Sequence, residues 1–350
     1  MSADLIMALL LFLMAYERTA YTIGFMGWYD TFQNTRINYF LINLGFALGP
    51  LIYLYVRTTI TPPFKLTRID FYHFIPVLLF ITYRLWIFVM DYGREDWGIG
   101  YEGYWQREFH LVYVSPIYRL LVYTSQVIYY AFTIQLVLQY RNTITQYFSN
   151  IEKVRLNWIR DFMILYTFLF VYGYITDLID AFIVGLDYVH NWWVHFFSAI
   201  AIVYLGIRAY FTDLGMLQRI TAGIKSVQPS VIGETTKVDP KASRLKILME
   251  EGQHFLDPNL TLLDLSKSIG WTIHEVSDTI NQGFDKNFND WVNDYRVDAL
   301  KVKLLDSSYD HFSLIALAFD CGFNSKATFN RVFKQKTGLS PSQFKATRPN

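Results

Sequence analysis

The chain has 350 residues, of which 53% are hydrophobic, 18% aromatic and only 17% charged, with a formal net charge of +1. That length has room for two or three domains, and the composition is too apolar for an ordinary soluble protein. A single cysteine, Cys321, excludes a disulfide framework.

The apolar residues crowd the chain up to Phe211, after which composition turns ordinary. Leu5 to Tyr16 is apolar but short, and Glu17-Arg18 interrupts it before Ala20 to Met26. It lacks the basic start and small-residue cleavage site of a signal peptide, and it reads as a weak first membrane helix. Ile37 to Val56 is a charge-free run long enough to cross a bilayer as one helix, with a kink expected at Gly49-Pro50. Further spans are predicted over Tyr72 to Met90, Pro116 to Tyr140, Phe162 to Val184 and Trp192 to Phe211. Ser115 and Pro116 have the residue types of an N-cap and a first helical position. The expected fold is therefore all-α: a polytopic transmembrane helical bundle of six spans over residues 1–211, followed by a smaller helical domain.

Loop charges orient the bundle. Arg57, Lys65 and Arg68 in one loop, and Arg141, Lys153, Arg155 and Arg160 in another, are basic and expected on the cytoplasmic side. The loop from Asp91 to His110 is acid-rich and expected outside. Both termini then lie in the cytoplasm, at the lipid bilayer of an inner membrane.

Ionisable residues inside spans are costly and need partners. Arg84, Arg119, Asp177, Asp180 and His195 fall at similar depth on the outer side. Two readings stand: a structural Arg–Asp network, or a polar ligand-sensing pocket open to the outside and rimmed by Tyr101, Tyr104 and Trp105. His110, His190 and His195 lack metal-ligand spacing, and no cofactor is implied.

Residues 212–240 hold Gly215, Gly223, Pro229 and Gly233 and read as a linker, flexible over Gln228 to Pro240. The domain at 241–350 contains one motif written twice. Thr261 to Trp271 is followed by a second helical pattern, Thr272 to Asn281; Ser313 to Phe323 is followed by Asn324 to Lys336. Gly270 corresponds to Gly322, and Trp271 to Phe323. Each copy opens on a Ser or Thr cap and closes on a Gly where the chain must turn, which is the helix-turn-helix pattern. Trp291, Val292, Tyr295, Ala299, Val302 and Leu305 recur at helical spacing and predict one long helix, about Phe288 to Leu305, joining the copies. Residues 241–320 carry 8 Lys/Arg against 13 Asp/Glu, and residues 321–350 carry 6 against none. The basic footprint of a DNA contact thus sits on the second copy.

Asn259-Leu260-Thr261-Leu262, Gly322-Phe323-Asn324-Ser325, Phe329-Asn330-Arg331-Val332-Phe333-Lys334 and Gly338-Leu339-Ser340-Pro341 together resemble the AraC/XylS family of bacterial transcription regulators. The resemblance covers about Arg244 to Phe344 and does not reach the apolar half. It implies base-facing residues on the second helix of each copy. By position these are His274, Ser277 and Asp278 in the first, and Lys326, Ala327, Asn330 and Arg331 in the second, with Lys334 and Lys336 near phosphates. Asp278 departs from the Arg or Gln more usual there, and Glu275 adds a second acid; Thr272-x-x-Glu275 is, however, a capping box.

No Walker loop, Gly-x-Ser-x-Gly, His-Glu-x-x-His or Cys-x-x-Cys occurs, so no enzyme is expected. The expected function is a membrane-anchored transcription regulator whose partners are double-stranded DNA, the bilayer and an unidentified ligand, with a homodimer as one way to hold two reading heads. The alternative is a transporter or receptor carrying a regulatory DNA-binding tail; no inverted repeat of broken helices supports a transporter.

Overall fold

The computed structural model describes residues 3–19, 22–23, 26, 35–60, 66–94, 102–152, 157–186, 188–211 and 238–348. Lys65, Tyr101, Lys153, Arg155 and most of the expected linker lie outside the described residues. Among the described residues the regular structure is helical, with one isolated antiparallel bridge, Phe148 to Thr261. The chain divides into two compact units, Met1–Val137 with Asn157–Gln218, and Leu138–Leu156 with Arg219–Asn350. The segment 138–156, which the sequence pattern leaves mostly in a loop between two spans, groups with the second unit.

The first unit begins with α1 (Ala3–Tyr16), which packs against α2 (Leu48–Ile60) and α7 (Tyr188–Tyr210). Next come α3 (Arg68–Tyr72), α4 (Ile75–Tyr92), a stretch of π-helical turns (Trp105–Val114), α5 (Ser115–Tyr147) and α6 (Asn157–Phe182). Three described stretches are long and apolar enough to cross a membrane: Arg68–Tyr92, Trp105–Tyr147 and Asn157–Asp180. Ala3–Tyr16 and His195–Arg208 are shorter apolar helices.

Two sequence expectations need correction here. Ile37 to Val56 is not one helix: 3-10 turns at Thr35–Tyr39 and Gly45–Ala47 precede α2. The reason is local, since the Asn43 side chain accepts a hydrogen bond from Gly45 N at 2.8 Å and offers the backbone a turn in place of a helix. Gly49 and Pro50 consequently fall in the first turn of α2, where Pro is tolerated, and do not kink a longer rod. Ser115, in turn, is not an N-cap, because helical turns run into it from Trp105. Pro116 cannot donate to that ladder and its ring crowds the preceding carbonyls; wider π turns just upstream relieve the clash. Asp91, wholly buried, anchors this stretch by accepting from Trp105 N at 2.8 Å and Gln106 N at 2.9 Å.

The second unit contains α8 (Val238–Gly252), α9 (Leu262–Ile269), α10 (Ile273–Phe284), α11 (Phe288–Leu305), α12 (Leu314–Asp320), α13 (Lys326–Thr337) and α14 (Pro341–Lys345). Two cores fill it, one per helix-turn-helix copy. Leu262, Leu265, Ile269, Val276 and Ile280 build the first, and Leu317, Ala318, Phe323, Phe329 and Phe333 the second. Helix α11 serves both, giving Phe288, Trp291 and Val292 to the first and Val297, Leu300 and Leu304 to the second. Its buried face therefore changes along its length. Val302 is 69% exposed and Leu305 43%, against the single stripe expected from spacing, because the helix turns toward a second core instead of following the first.

Both helix-turn-helix corners use glycine at positive φ, +73° at Gly270 and +88° at Gly322. Their surroundings differ. A Cβ at Gly270 would meet nothing within 4 Å, whereas one at Gly322 would stand 2.3 Å from the Phe255 carbonyl oxygen and 2.9 Å from Arg296 Nε. Gly270→Ala should therefore cost about 1 kcal/mol, from the left-handed backbone alone. Gly322→Ala should cost about 3 kcal/mol or more, because an overpacked site also breaks a buried hydrogen bond. Urea denaturation of a 237–350 fragment, followed by tryptophan fluorescence, checks the ranking.

Candidate nucleic-acid interface

Each helix from α9 onward starts where a short polar side chain can satisfy free backbone N–H groups. Thr261 and Thr272 cap α9 and α10 in reciprocal boxes with Asp264 and Glu275, Ser313 caps α12, and Ser325 caps α13 by accepting from Thr328 N at 3.1 Å. Gly338, at φ +77°, closes α13 with its N–H on the Lys334 carbonyl at 2.9 Å. With its ends fixed, α13 buries Phe329, Val332 and Phe333 and turns Lys326, Ala327, Arg331, Lys334 and Gln335 outward.

Lys326, Ala327, Arg331 and Lys334 are exposed on that outer side, and Asn330 is half-buried. Among the described residues Arg331 has only a long contact to Gln335 at 3.5 Å, which leaves its fork available. Lys336 differs from expectation: it turns inward and pairs with Asp294 on α11, which also holds Lys286 at 2.6 Å. On α10, His274 is exposed and Ser277 and Asp278 are half-buried. Both acids noted on this helix have partners. Asp278 pairs with His274 at 2.6 Å, one turn away, and Glu275 receives the Thr272 N–H at 2.9 Å and Lys241 Nζ at 3.2 Å. These bonds from Thr272, then Lys241, hold the Glu275 carboxyl below its usual range. The Trp271 ring lies under Lys241 and Arg244, at 5.5 and 5.7 Å from its centroid.

Behind this surface lies a group that sequence pattern did not single out. Arg296 is 2% exposed on α11 and donates from Nε to Phe255 O at 2.8 Å and from Nη2 to Asp257 O at 2.8 Å. It also reaches Ser149, through Nη1 to the carbonyl at 3.3 Å and Nη2 to Oγ at 3.0 Å. Asn289 adds Nδ2 bonds to the carbonyls of Phe148 at 3.1 Å and Ser149 at 2.8 Å. Burial draws the Arg296 pKa down to about 10, so the group stays charged at neutral pH. An Arg or Asn inside an apolar helical stripe is the one signal that would have pointed here.

In the first unit, Arg84, Arg119, Asp177 and Asp180 line one cavity of about 690 Å³, together with Glu17, Glu102, Gln106 and His110. His195 does not line it and lies instead beside Ser198, whose hydroxyl bonds the His195 carbonyl at 2.8 Å and accepts from Arg18. Among the described residues no Arg–Asp ion pair forms here. Arg84, 4% exposed, donates to the Gln106 side chain and to Asn38 O at 3.0 Å. Asp177 accepts from the Tyr123 hydroxyl, and Asp180 from Leu186 N at 2.8 Å. Arg119 is exposed toward the cavity, without a hydrogen bond or ion pair among the described residues.

Residues 265–347 match the helix-turn-helix domain family. The same end of the chain is similar to uncharacterized HTH-type transcriptional regulators of Staphylococcus aureus strains COL and MSSA476, each 31% identical over 96 residues. That match takes in 27% of this chain and 12% of theirs, so the likeness spans about one eighth of those relatives' length. A solved structure of a Listeria innocua protein of unknown function is 24% identical over 30% of this chain and 95% of its own, with a TM-score of 0.26. The carboxy-terminal region is thus a helix-turn-helix domain of the AraC type.

The capping geometry carries a pH signature. Glu275 titrates below its unfolded value in the folded domain, so its stabilisation is fully present above about pH 4.5 and is lost as pH falls through the lower folded value. Glu275→Ala should cost about 1 kcal/mol at neutral pH, the worth of one capping interaction. The difference from wild type should vanish on acidification, as read by urea denaturation of the 237–350 fragment at a series of pH values.

Proposed function

We propose that this chain, built on a carboxy-terminal helix-turn-helix domain, is a membrane-anchored transcription regulator that couples a signal at or outside the membrane to gene expression. The observation that carries the reading is the outward face of α13, where Lys326, Arg331 and Lys334 stand free of the core beside Asn330. In a major groove Arg331 is suited to guanine O6 and N7, Asn330 to a base edge, and Lys326 and Lys334 to phosphates. His274, Ser277 and Asp278 are the corresponding contacts of the first copy. Their acid–imidazole pair makes that copy the weaker electrostatic partner, and Asp278 is suited to accept from a cytosine amine.

The membrane role rests on the three long apolar stretches, and the sensing role on the cavity that gathers Arg84, Arg119, Asp177 and Asp180. A ligand there shifts the protein only through different affinity for two arrangements of the helices. No kinase or phosphoacceptor step is needed between sensor and reader when both belong to one polypeptide.

DNA binding is tested on the 237–350 fragment. Its affinity for duplex DNA should fall steeply as salt rises, because neutralised phosphates release counterions. Arg331→Ala should cost about 1–3 kcal/mol and relax base preference at one position, while Asp278→Arg should tighten binding mainly non-specifically. A fragment that is helical by circular dichroism yet shows no salt-dependent binding would sink the regulator reading.

Sensing is tested in cells, by following protein in the membrane fraction together with the transcripts that change when the gene is deleted. Arg84 is buried with neutral partners, so Arg84→Gln should lower the protein level. Arg119→Gln and Asp180→Asn should leave the level intact and alter the transcripts. Parallel loss of protein and response in all three variants would leave these residues as structural supports only.

A further inference from the structure

The chain that follows α5 is built into the DNA-reading unit. Phe148, 4% exposed, forms the bridge to Thr261, and Ser149 bonds Leu260 O through both its N–H at 3.1 Å and its hydroxyl at 2.7 Å. Arg296 and Asn289 hold the same two residues from the other side. The Asn150 side chain then accepts from Glu152 N at 3.1 Å and fixes the turn that follows. That turn delivers the Glu152 carboxylate to the start of α13. Its Oε1 accepts from the Ser325 hydroxyl at 2.7 Å and from the Thr328 hydroxyl, the N-cap and third residue of the helix.

This position matters for the proposed reading of DNA. The N-terminal end of a recognition helix is the part that enters the groove, and its hydroxyls and free N–H groups attract phosphate. A carboxylate on Ser325 and Thr328 has the charge and acceptor chemistry of the phosphate it would displace. Both anions cannot occupy one helix end.

We propose that residues 148–152 are an intramolecular competitor of DNA: an interaction surface formed by α11, the start of α9 and the start of α13 takes this segment, and DNA engages the second helix-turn-helix copy only when Glu152 leaves. The proposal rests on the regulator reading above. It also gives the signal a route, because the segment continues directly from α5, the helix that carries Arg119 and Tyr123 at the cavity. A movement of that helix along or about its axis changes the pull on Glu152.

The test uses the full chain in lipid nanodiscs and a fluorescein-labelled random-sequence duplex of about three helical turns, read by anisotropy at low salt. Glu152→Ala should bind about three- to tenfold more tightly than wild type, and Glu152→Gln less so, since one charged contact at an exposed site no longer competes. Glu251→Ala, which removes an exposed acid on α8, controls for net charge and should stay within about twofold. Arg331→Ala should weaken binding and reports that the duplex is read through α13. By linkage, saturating duplex should speed hydrogen exchange in the peptide covering 144–152 of the wild type. Equal affinities for Glu152→Ala and Glu251→Ala with a weakened Arg331→Ala, or exchange over 144–152 that slows or holds steady on DNA, would overturn the competitor while leaving the DNA reader standing. If no variant binds duplex at low salt, the regulator reading fails and takes this proposal with it.

Discussion

A guanidinium sunk among backbone carbonyls holds the second unit together. Among the described residues Arg296 has no carboxylate bonded to it; its partners are the carbonyls of Phe255, Asp257 and Ser149 and the Ser149 hydroxyl. Spreading one charge over several neutral acceptors meets the cost of burying it without a matching acid. The same geometry joins three stretches that are far apart in sequence: the turn before α9, the linking helix α11, and the segment after α5. Gly322 completes the set, because any side chain there would push into Arg296 and Phe255. The corner of the second helix-turn-helix copy is thus packed against the anchor of the first.

Four charged residues of the first unit, Arg84, Asp91, Asp177 and Asp180, follow the same rule by other means. Each is satisfied mainly by neutral groups: Arg84 by an amide and a carbonyl, Asp177 by a phenol, Asp180 and Asp91 by backbone N–H groups, with Tyr39 added at Asp91. Had the arginines paired directly with the aspartates, contact at ion-pair distance would have closed the space between them. Neutral partners keep opposite charges apart across an open cavity.

Periodic features of this fold were readable from sequence, and interruptions of period were not. The doubled motif, the caps at Thr261, Thr272 and Ser313 and the bounds of α11 follow from spacing and from the hydrogen-bonding habits of Ser, Thr and Gly. The break at Asn43 to Gly45 depends on a side chain competing with its own backbone inside an apolar run, which hydropathy does not register. The exposure of Val302 and Leu305 arises because α11 changes cores midway, a tertiary fact that no single helical stripe encodes. Four of the five polar residues picked from the apolar half line one cavity, since each was placed by its cost in an apolar helix. His195 sits elsewhere because depth along a helix says nothing about which side of it faces the cavity. Ser149 and Glu152 gave no sign at all: their partners lie more than a hundred residues away, and a Ser or a Glu after a helix is ordinary.

The separation of 147 positions between Ser149 and Arg296 has a consequence for how the chain is made. A ribosome emits Ser149 long before Arg296, and α6 and α7 are synthesised in the interval. The apolar half is therefore complete before the reading head can close around the segment it borrows. Nascent chains stalled within α11 would carry a first helix-turn-helix copy whose anchor is not yet in place. Maturation of the head is in this way ordered after assembly of the half that precedes it, by the direction of translation alone.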